Sequence, residues 1–154
     1  MDHMYNNNFL NIKEKLTERD LEKIEKKFSF KIPKDIRHHY LKYNGGYPEK
    51  CIFEDNNGKQ YEVEHFIPIK NKAGSRDLET VLHLLREDSI LPNWLIPLAE
   101  EAGGDFYCYS LRNHELGAVY YWSHEFEYGE DPEAYVTFLA TYLKQFIDEM
   151  IEDE

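Results

Sequence analysis

The sequence predicts an α+β fold: a single domain with a mostly antiparallel central sheet, on which N-terminal helices and a long C-terminal helix pack. Three observations lead to this prediction. Helical apolar periodicity marks both ends of the chain, and alternating, aromatic-rich segments separated by Asn- and Gly-rich turns fill the middle. The 154 residues are also enough to bury a core within one domain. We expect residues 1–16 to be a flexible extension and residues 17–152 to form the domain.

The first predicted helix begins after Thr17 and ends near Phe28. Thr17 is a preferred N-cap residue, and Asp20 stands three positions later, as in a capping box. Leu21 and Ile24 then share one apolar face with Phe28.

The second predicted helix follows at Pro33, which suits a first helical turn. Its buried stripe consists of Ile36, Tyr40 and Leu41. The helix ends at Asn44, Gly45 and Gly46, because glycine accepts the positive φ of many helix C-termini. His38 and His39 are adjacent on this helix and do not face each other. We expect both histidines on the surface.

Strands are predicted at 51–54 and 60–69, joined by an Asn- and Gly-rich hairpin turn. A third helix is predicted over 75–87. Its cap is Ser75 and its buried side chains are Leu78, Val81, Leu82 and Leu85.

After the third helix, Pro92 and Pro97 favour a segment that is extended or lies at a sheet edge. A second hairpin is then predicted from the runs FYCYSL and AVYYW, with Gly117 at its bend.

The last predicted element is a long helix. Asp131 is its cap, Pro132 occupies its first position, and Glu133 favours the positive end of its dipole. Its apolar residues recur at spacings of three and four positions and form one stripe: Tyr135, Phe138, Leu139, Tyr142, Leu143, Phe146, Ile147, Met150 and Ile151.

Net charge is −12 and is unevenly distributed. Residues 1–46 carry 10 basic and 7 acidic side chains, a balance of +3, whereas residues 47–154 carry 8 and 23, a balance of −15. Residues 100–133 hold nine carboxylates and a single Lys or Arg, Arg112. This composition argues against nucleic-acid binding and is compatible either with solubility alone or with a basic protein partner.

Motifs for chemistry are weak. Cys108 lies among aromatics in a strand pattern, which is typical of a buried, inert thiol. The segment SHEFE lacks the histidine spacing of a zinc helix, and Gly103 and Gly104 run into Asp105, unlike a phosphate-binding loop. We therefore predict no enzymatic activity, no cofactor and no metal.

Four landmarks carry a resemblance to the SUKH superfamily. In chain order they are KIPKDIRHHYLKYNGGYP, WLIPLAEEAGGDFYCYSL, GAVYYWSHE and a C-terminal helix that begins near Asp131 and contains Phe138 and Leu139. The resemblance spans about residues 17–147. The sequence departs from the family pattern at two places. Ile32 stands where the family usually has leucine, and residues 99–102, which precede the glycine pair, are more acidic.

The resemblance implies a function in protein binding. The superfamily includes a fungal regulator of cell-wall synthesis and many bacterial proteins that look like immunity proteins, which neutralise polymorphic toxins, often nucleases. It therefore implies an immunity protein for a basic toxin. The alternative is an intracellular regulatory or scaffold protein of the fungal type, and a small-molecule-binding or enzymatic domain is a third possibility that would need an enclosed pocket.

The resemblance also frames the site residues. We expect one aromatic set of the second hairpin to fill the core and the other to bind the partner, unless both faces are covered. The candidate partner-binding residues are Tyr107, Tyr109, Tyr120, Trp122, Glu125, Glu127, Glu130, Asp131 and Glu133. Structural roles are expected for Pro33, Asn44, Gly45, Gly46, Gly103, Gly104, Asp105 and Gly117, with Asp105 bonding the turn formed by the two glycines before it.

The N-terminal segment lacks a secretory signal pattern, and the longest apolar-leaning run is far shorter than a membrane span. We expect a cytoplasmic monomer or homodimer that binds neither membrane nor nucleic acid.

Overall fold

The computed structural model describes residues 4–72, 76–87, 91–124 and 132–153, and the predicted α+β fold is confirmed there. The helices of this part are α1 (Glu18–Phe28), α2 (Lys34–Lys42), α3 (Leu78–Arg86) and α4 (Leu143–Asp148). Its strands are β1 (Phe9–Leu10), β2 (Tyr47–Pro48), β3 (Ile52–Glu54), β4 (Gln60–Glu62), β5 (His65–Phe66), β6 (Leu95–Glu100), β7 (Phe106–Ser110), β8 (Val119–Trp122) and β9 (Val136–Ala140).

The central sheet is antiparallel and has the strand order β5-β6-β7-β8-β9, so each strand pairs with its neighbour in the chain. Two smaller antiparallel pairs, β1-β2 and β3-β4, flank it. Pro97 lies in β6, where β5 does not extend, and a register shift between Pro97 and Ala99 accommodates it.

The predicted start of α1 is confirmed. The amide of Asp20 donates to Thr17 Oγ1 (3.3 Å), and the amide of Thr17 donates to Asp20 Oδ2 (2.8 Å), which completes a capping box. Leu21 and Ile24 are buried.

The histidines of α2 differ from the prediction. His38 is exposed, but His39 is fully buried, so its predicted surface position is wrong. The hydroxyl of Tyr5 lies 2.9 Å from His39 Nδ1, and the Phe9 and Phe66 rings pack against the imidazole. Burial lowers the pKa of His39 to about 3, so the ring is neutral at pH 7.

Residues 4–16 lie against the domain, although the prediction made them part of a flexible extension. β1 pairs with β2, and Tyr5 and Leu16 are buried. These aromatic and apolar side chains cover α2, which explains why the segment packs.

The predicted strand 60–69 is divided. β4 completes a hairpin with β3, whereas β5 joins the central sheet, because the chain leaves the extended ladder at residues 63–64. In α3 the cap is Asp77, which accepts from the amide of Thr80 (2.9 Å); the predicted cap, Ser75, lies outside the described residues.

The long C-terminal helix is replaced by three short elements. Pro132–Tyr135 forms a 3₁₀ turn, β9 follows, and α4 has only 6 residues. Val136 and Thr137 are β-branched and pair with β8, so sheet formation outweighs the helical spacing of the apolar residues.

Both faces of the central sheet are covered over much of its area. On the face that carries the cross-strand pair Tyr107 and Tyr121, the Tyr107 ring lies 5.5 Å from the Phe146 ring of α4, and the Tyr121 ring lies 5.1 Å from the Tyr61 ring of β4. On the other face Cys108 and Trp122 are buried. α3 packs against β6 with its four predicted apolar residues buried. No helix within the described ranges has both the length and the apolar character needed to cross a membrane.

Candidate partner-binding surface

The four predicted interface aromatics lie in the core. Tyr107 and Tyr109 are 0% exposed, Trp122 is 1% exposed and Tyr120 is 8% exposed. Helices and the β3-β4 hairpin cover the face that carries Tyr107, so the alternative in which both faces are covered describes these side chains better. Of the four, Tyr120 has the largest exposed fraction, and its hydroxyl bonds to Arg112 and Glu115.

The predicted acidic rim is only partly described. Glu125, Glu127, Glu130 and Asp131 lie outside the described residues. Glu133 is exposed, and its Oε1 accepts a hydrogen bond from the Trp94 indole Nε1 (2.7 Å). This contact connects the last residue of the predicted rim to the start of β6.

The turn before β7 is built as the glycines suggest, although Asp105 has a different partner from the one predicted. Gly104 has φ +102, and its amide donates to the Glu101 carbonyl (3.0 Å). The Asp105 carboxylate accepts from the Tyr121 hydroxyl, the His124 amide and the His124 ring, so it joins the start of β7 to the end of β8. Burial favours the neutral acid, but these hydrogen bonds outweigh it and hold the pKa of Asp105 below its ordinary value.

The remaining structural residues surround α2. Asn44 is 2% exposed and connects three segments: its Nδ2 donates to the carbonyls of Glu14 (2.8 Å) and Lys70 (2.7 Å), and its Oδ1 accepts from the amide of Ile69 (2.9 Å). Pro33 precedes α2, and the glycines at 45, 46 and 117 all have positive φ.

An arginine–aromatic cluster lies on the central sheet beside Glu133; its members are Trp94, Arg112, Tyr120 and Phe138. The Arg112 guanidinium carbon lies 3.5 Å from the centroid of the Trp94 ring. The same guanidinium donates to the Tyr120 hydroxyl (3.1 Å). Phe138 packs edge-on against the Tyr120 ring at 5.6 Å.

Glu115 fixes the arrangement of this cluster. It accepts from Arg112 Nη2 (2.9 Å) and from the Tyr120 hydroxyl (2.7 Å). Burial favours the protonated acid, but these bonds prevail and lower the pKa of Glu115, so the carboxylate is charged at pH 7. The guanidinium is therefore held flat against the indole before any partner arrives.

The cluster also presents apolar surface. Phe138 is 53% exposed and Leu116, next to Glu115 in the chain, is 49% exposed. Trp, Tyr and Arg are the residues that dominate binding energy at protein interfaces. The sequence prediction missed Trp94 and Arg112 and placed Phe138 on a helix; the isolation of Arg112 among nine carboxylates was the one signal that pointed here.

The thiols give little support for chemistry. Cys108 is fully buried, and burial raises the pKa of its thiol. Cys51, Glu62 and Asp153 place ligand atoms within 4.8 Å of one another. Burial, with the nearby carboxylates of Glu62 and Asp153, raises the pKa of the Cys51 thiol.

The sequence model of the SMI1/KNR4 family (SUKH-1) matches residues 15–149 of the chain. A search of curated proteins found no match. The matched range contains all four members of the arginine–aromatic cluster and every residue assigned a structural role.

Proposed function

The chain belongs to the SMI1/KNR4 family (SUKH-1), and from this premise we propose that it is an immunity protein, which binds a cognate toxin protein and blocks the toxin's working surface. The observation that carries the proposal is the arginine–aromatic cluster, a pre-ordered set of interface-type side chains on the open part of the sheet. We further propose that the protein acts in the cytoplasm by binding alone, without catalysis.

The arrangement of the cluster supports binding to another protein. Stacking on Trp94 and bonding to Glu115 restrict the Arg112 side chain, so little rotamer entropy remains to be lost on association. Phe138 adds apolar area that a partner would remove from water. A centre of this kind with a polar rim is the usual anatomy of a specific interface.

Charge supports a basic partner. Residues 47–154 carry a balance of −15, and Glu133 is exposed beside the cluster. A nuclease toxin is basic where it holds phosphate, and an acidic protein that covers that surface would be drawn to it by long-range attraction. We propose a nuclease-type toxin on this ground.

The experiment uses the purified protein and a toxin captured with it from lysate of the source cells at low salt. Phe138→Ala and Arg112→Ala should each weaken toxin binding by about 30-fold or more, as expected for interface hot spots. Leu84→Ala is the matched control, because Leu84 is equally exposed (56%) but lies on α3. Thermal melts of every variant separate lost binding from lost folding.

Salt provides a second readout. Raising ionic strength should slow association, because exposed charges farther apart than about 10 Å are screened at 0.1 M salt. Unchanged affinity in both cluster variants would remove this surface from the proposal. Capture of cell-wall or signalling proteins, with no toxin inhibited by excess protein, would favour the regulatory or scaffold alternative instead.

A further inference from the structure

A cleft of about 270 Å³ lies between the β1-β2 ribbon and β5, at the opposite edge of the central sheet from β9. We call it the ribbon cleft. Tyr47 is 42% exposed and supplies apolar surface at the rim, whereas Phe66 and Pro68, also in the lining, are buried. The polar lining includes Lys13, His65 and Arg76. Two cations, Lys13 and Arg76, at one cleft are unusual in a chain whose net charge is −12.

A buried carboxylate positions Arg76. The Glu100 side chain is only 5% exposed, and it accepts from Arg76 Nε (3.2 Å) and, through its other oxygen, from Arg76 Nη2. This side-on pairing leaves Nη1 of Arg76 without a hydrogen-bond partner in the part of the chain that the structure describes. The Arg76 side chain remains 53% exposed. Its guanidinium is thus fixed on one side and available on the other.

The backbone of Arg76 is also unusual. Its φ is +65, a conformation that is unfavourable for a residue with a Cβ. Backbone strain of this kind persists where surrounding contacts hold it and is concentrated at binding sites.

Lys13 is the second cation. Its amide donates to the Asn44 carbonyl (2.8 Å), which fixes its backbone at the mouth of the cleft. Its side chain has no hydrogen bond or ion pair to any described residue. His65 Nε2 lies 2.6 Å from Glu100 Oε2, and its Nδ1 lies 3.3 Å from Glu64 Oε1. Burial is the main cause that lowers the pKa of His65, and the charges of Arg76 and Lys13 add to it despite Glu64.

We propose that the ribbon cleft binds a small organic anion, in which a carboxylate or phosphate is joined to an aromatic or apolar body. Lys13 and the free edge of Arg76 receive the anionic oxygens, because unsatisfied ammonium and guanidinium donors form charge-assisted hydrogen bonds with them. Tyr47, the exposed aromatic side chain of the lining, contacts the body. This site is separate from the arginine–aromatic cluster and does not depend on the toxin proposal.

The test is a titration of the whole chain, isotopically labelled, followed by amide chemical shifts. The probes are benzoate, phenyl phosphate and neutral benzamide. Both anions should shift the amides around Gly46 and His65, and benzamide should bind about tenfold more weakly, as expected for the loss of a charge-assisted interaction. Tighter binding of phenyl phosphate identifies a phosphate ligand, and tighter binding of benzoate a carboxylate.

Lys13→Gln is the decisive variant, because it removes a cation without exposing the buried Glu100. It should weaken anion binding about tenfold. Lys31→Gln, an exposed lysine outside the cleft, is the control and should leave binding unchanged. Equal binding of benzamide and the anions, equal weakening by both variants, or no saturable shift with any probe would overturn the proposal.

Discussion

Asn44→Ala should strongly destabilise the protein, because the Asn44 side chain is buried and fully engaged in hydrogen bonds. The side chain makes three hydrogen bonds that connect the segment before α1, the end of α2 and the segment after β5. At about 1 kcal/mol net for each bond, with part-buried partners left unsatisfied, the loss is about 3 to 4 kcal/mol. A domain of this size has a total stability of about 5 to 15 kcal/mol, so the effect is large.

Urea denaturation followed by circular dichroism measures this loss as a shift of the midpoint at constant m-value. The melting temperature should fall by about 10 °C, since 1 kcal/mol corresponds to about 2 to 4 °C for a domain of this length. Asn57→Ala is the control. Asn57 is exposed in the β3-β4 turn and only its backbone amide is bonded, to Asp55, so its truncation should change stability by less than about 0.5 kcal/mol.

A loss below about 1 kcal/mol for Asn44→Ala would refute the reasoning, because it would mean that water replaces the three bonds at little cost. Asn44→Asp sharpens the test. The substituted side chain has the same shape and keeps the acceptor for the Ile69 amide, but at pH 7 it turns a carboxylate oxygen toward two carbonyls. At pH 7, Asn44→Asp should therefore lower the free energy of unfolding at least as much as Asn44→Ala does. The loss should be smaller at a pH where the introduced carboxylic acid is protonated.

Three further predictions concern stability. Because the pKa of His39 is lowered to about 3, unfolding below pH 6.5 takes up a proton, and the free energy of unfolding should fall by about 2 kcal/mol from pH 7 to pH 5. Urea titrations of His39→Gln should lack this loss, and the same pH dependence in the wild type and the variant would contradict the prediction. The pKa of Asp105 is also lowered, so its contribution is present above the unfolded-state value of about 4 and is lost as the pH falls through the folded value. Wild type and Asp105→Asn should therefore differ most near pH 7 and converge in strong acid, whereas a constant difference would point to packing alone. Gly46→Ala should lower the free energy of unfolding by about 3 kcal/mol and Gly58→Ala by about 1 kcal/mol. Both glycines have φ +82, but only at Gly46 would a Cβ lie 2.8 Å from a backbone oxygen. Equal losses of stability in the two variants would rule out the close contact as the cause.

Local signals predicted local structure well. The capping box of α1, the apolar face of α3 and the β7-β8 hairpin with Gly117 at its bend all depend on residues close together in the chain. Such features follow from backbone conformational preferences and hydrogen bonds that the chain makes with itself over a few positions.

The C-terminal region shows where this reasoning fails. The spacing of Phe138, Leu139, Leu143 and Phe146 fits one continuous helix, but it fits a strand, a turn and a short helix equally well. β8 offers an unpaired edge to the segment, and β-branched Val136 and Thr137 pair with it. That choice depends on a strand more than ten residues away, which local periodicity does not report.

The candidate site was predictable only in part, for a related reason. The aromatic residues of the hairpin were found, but whether each is core or surface depends on which helix covers which face. Tyr107 is covered by α4 and Phe138 is not covered, although both looked equally apolar in sequence. His39 is similar, since its burial depends on Tyr5 and Phe9 from a segment predicted to be flexible.

The contact between the N-terminal segment and α4 has a consequence for the order of folding. The amide of Asn6 donates to Asp148 Oδ1 (2.7 Å), and Lys144 donates to the carbonyl of Met4 (3.3 Å). These contacts join residues 142 and 140 positions apart, so they form only after α4 has been synthesised, later than the packing of Tyr5, Phe9 and Phe66 around His39. Until then Tyr107 and Phe53 lack the Phe146 ring that packs on them, and the nascent domain exposes aromatic surface that chaperones recognise in incomplete chains.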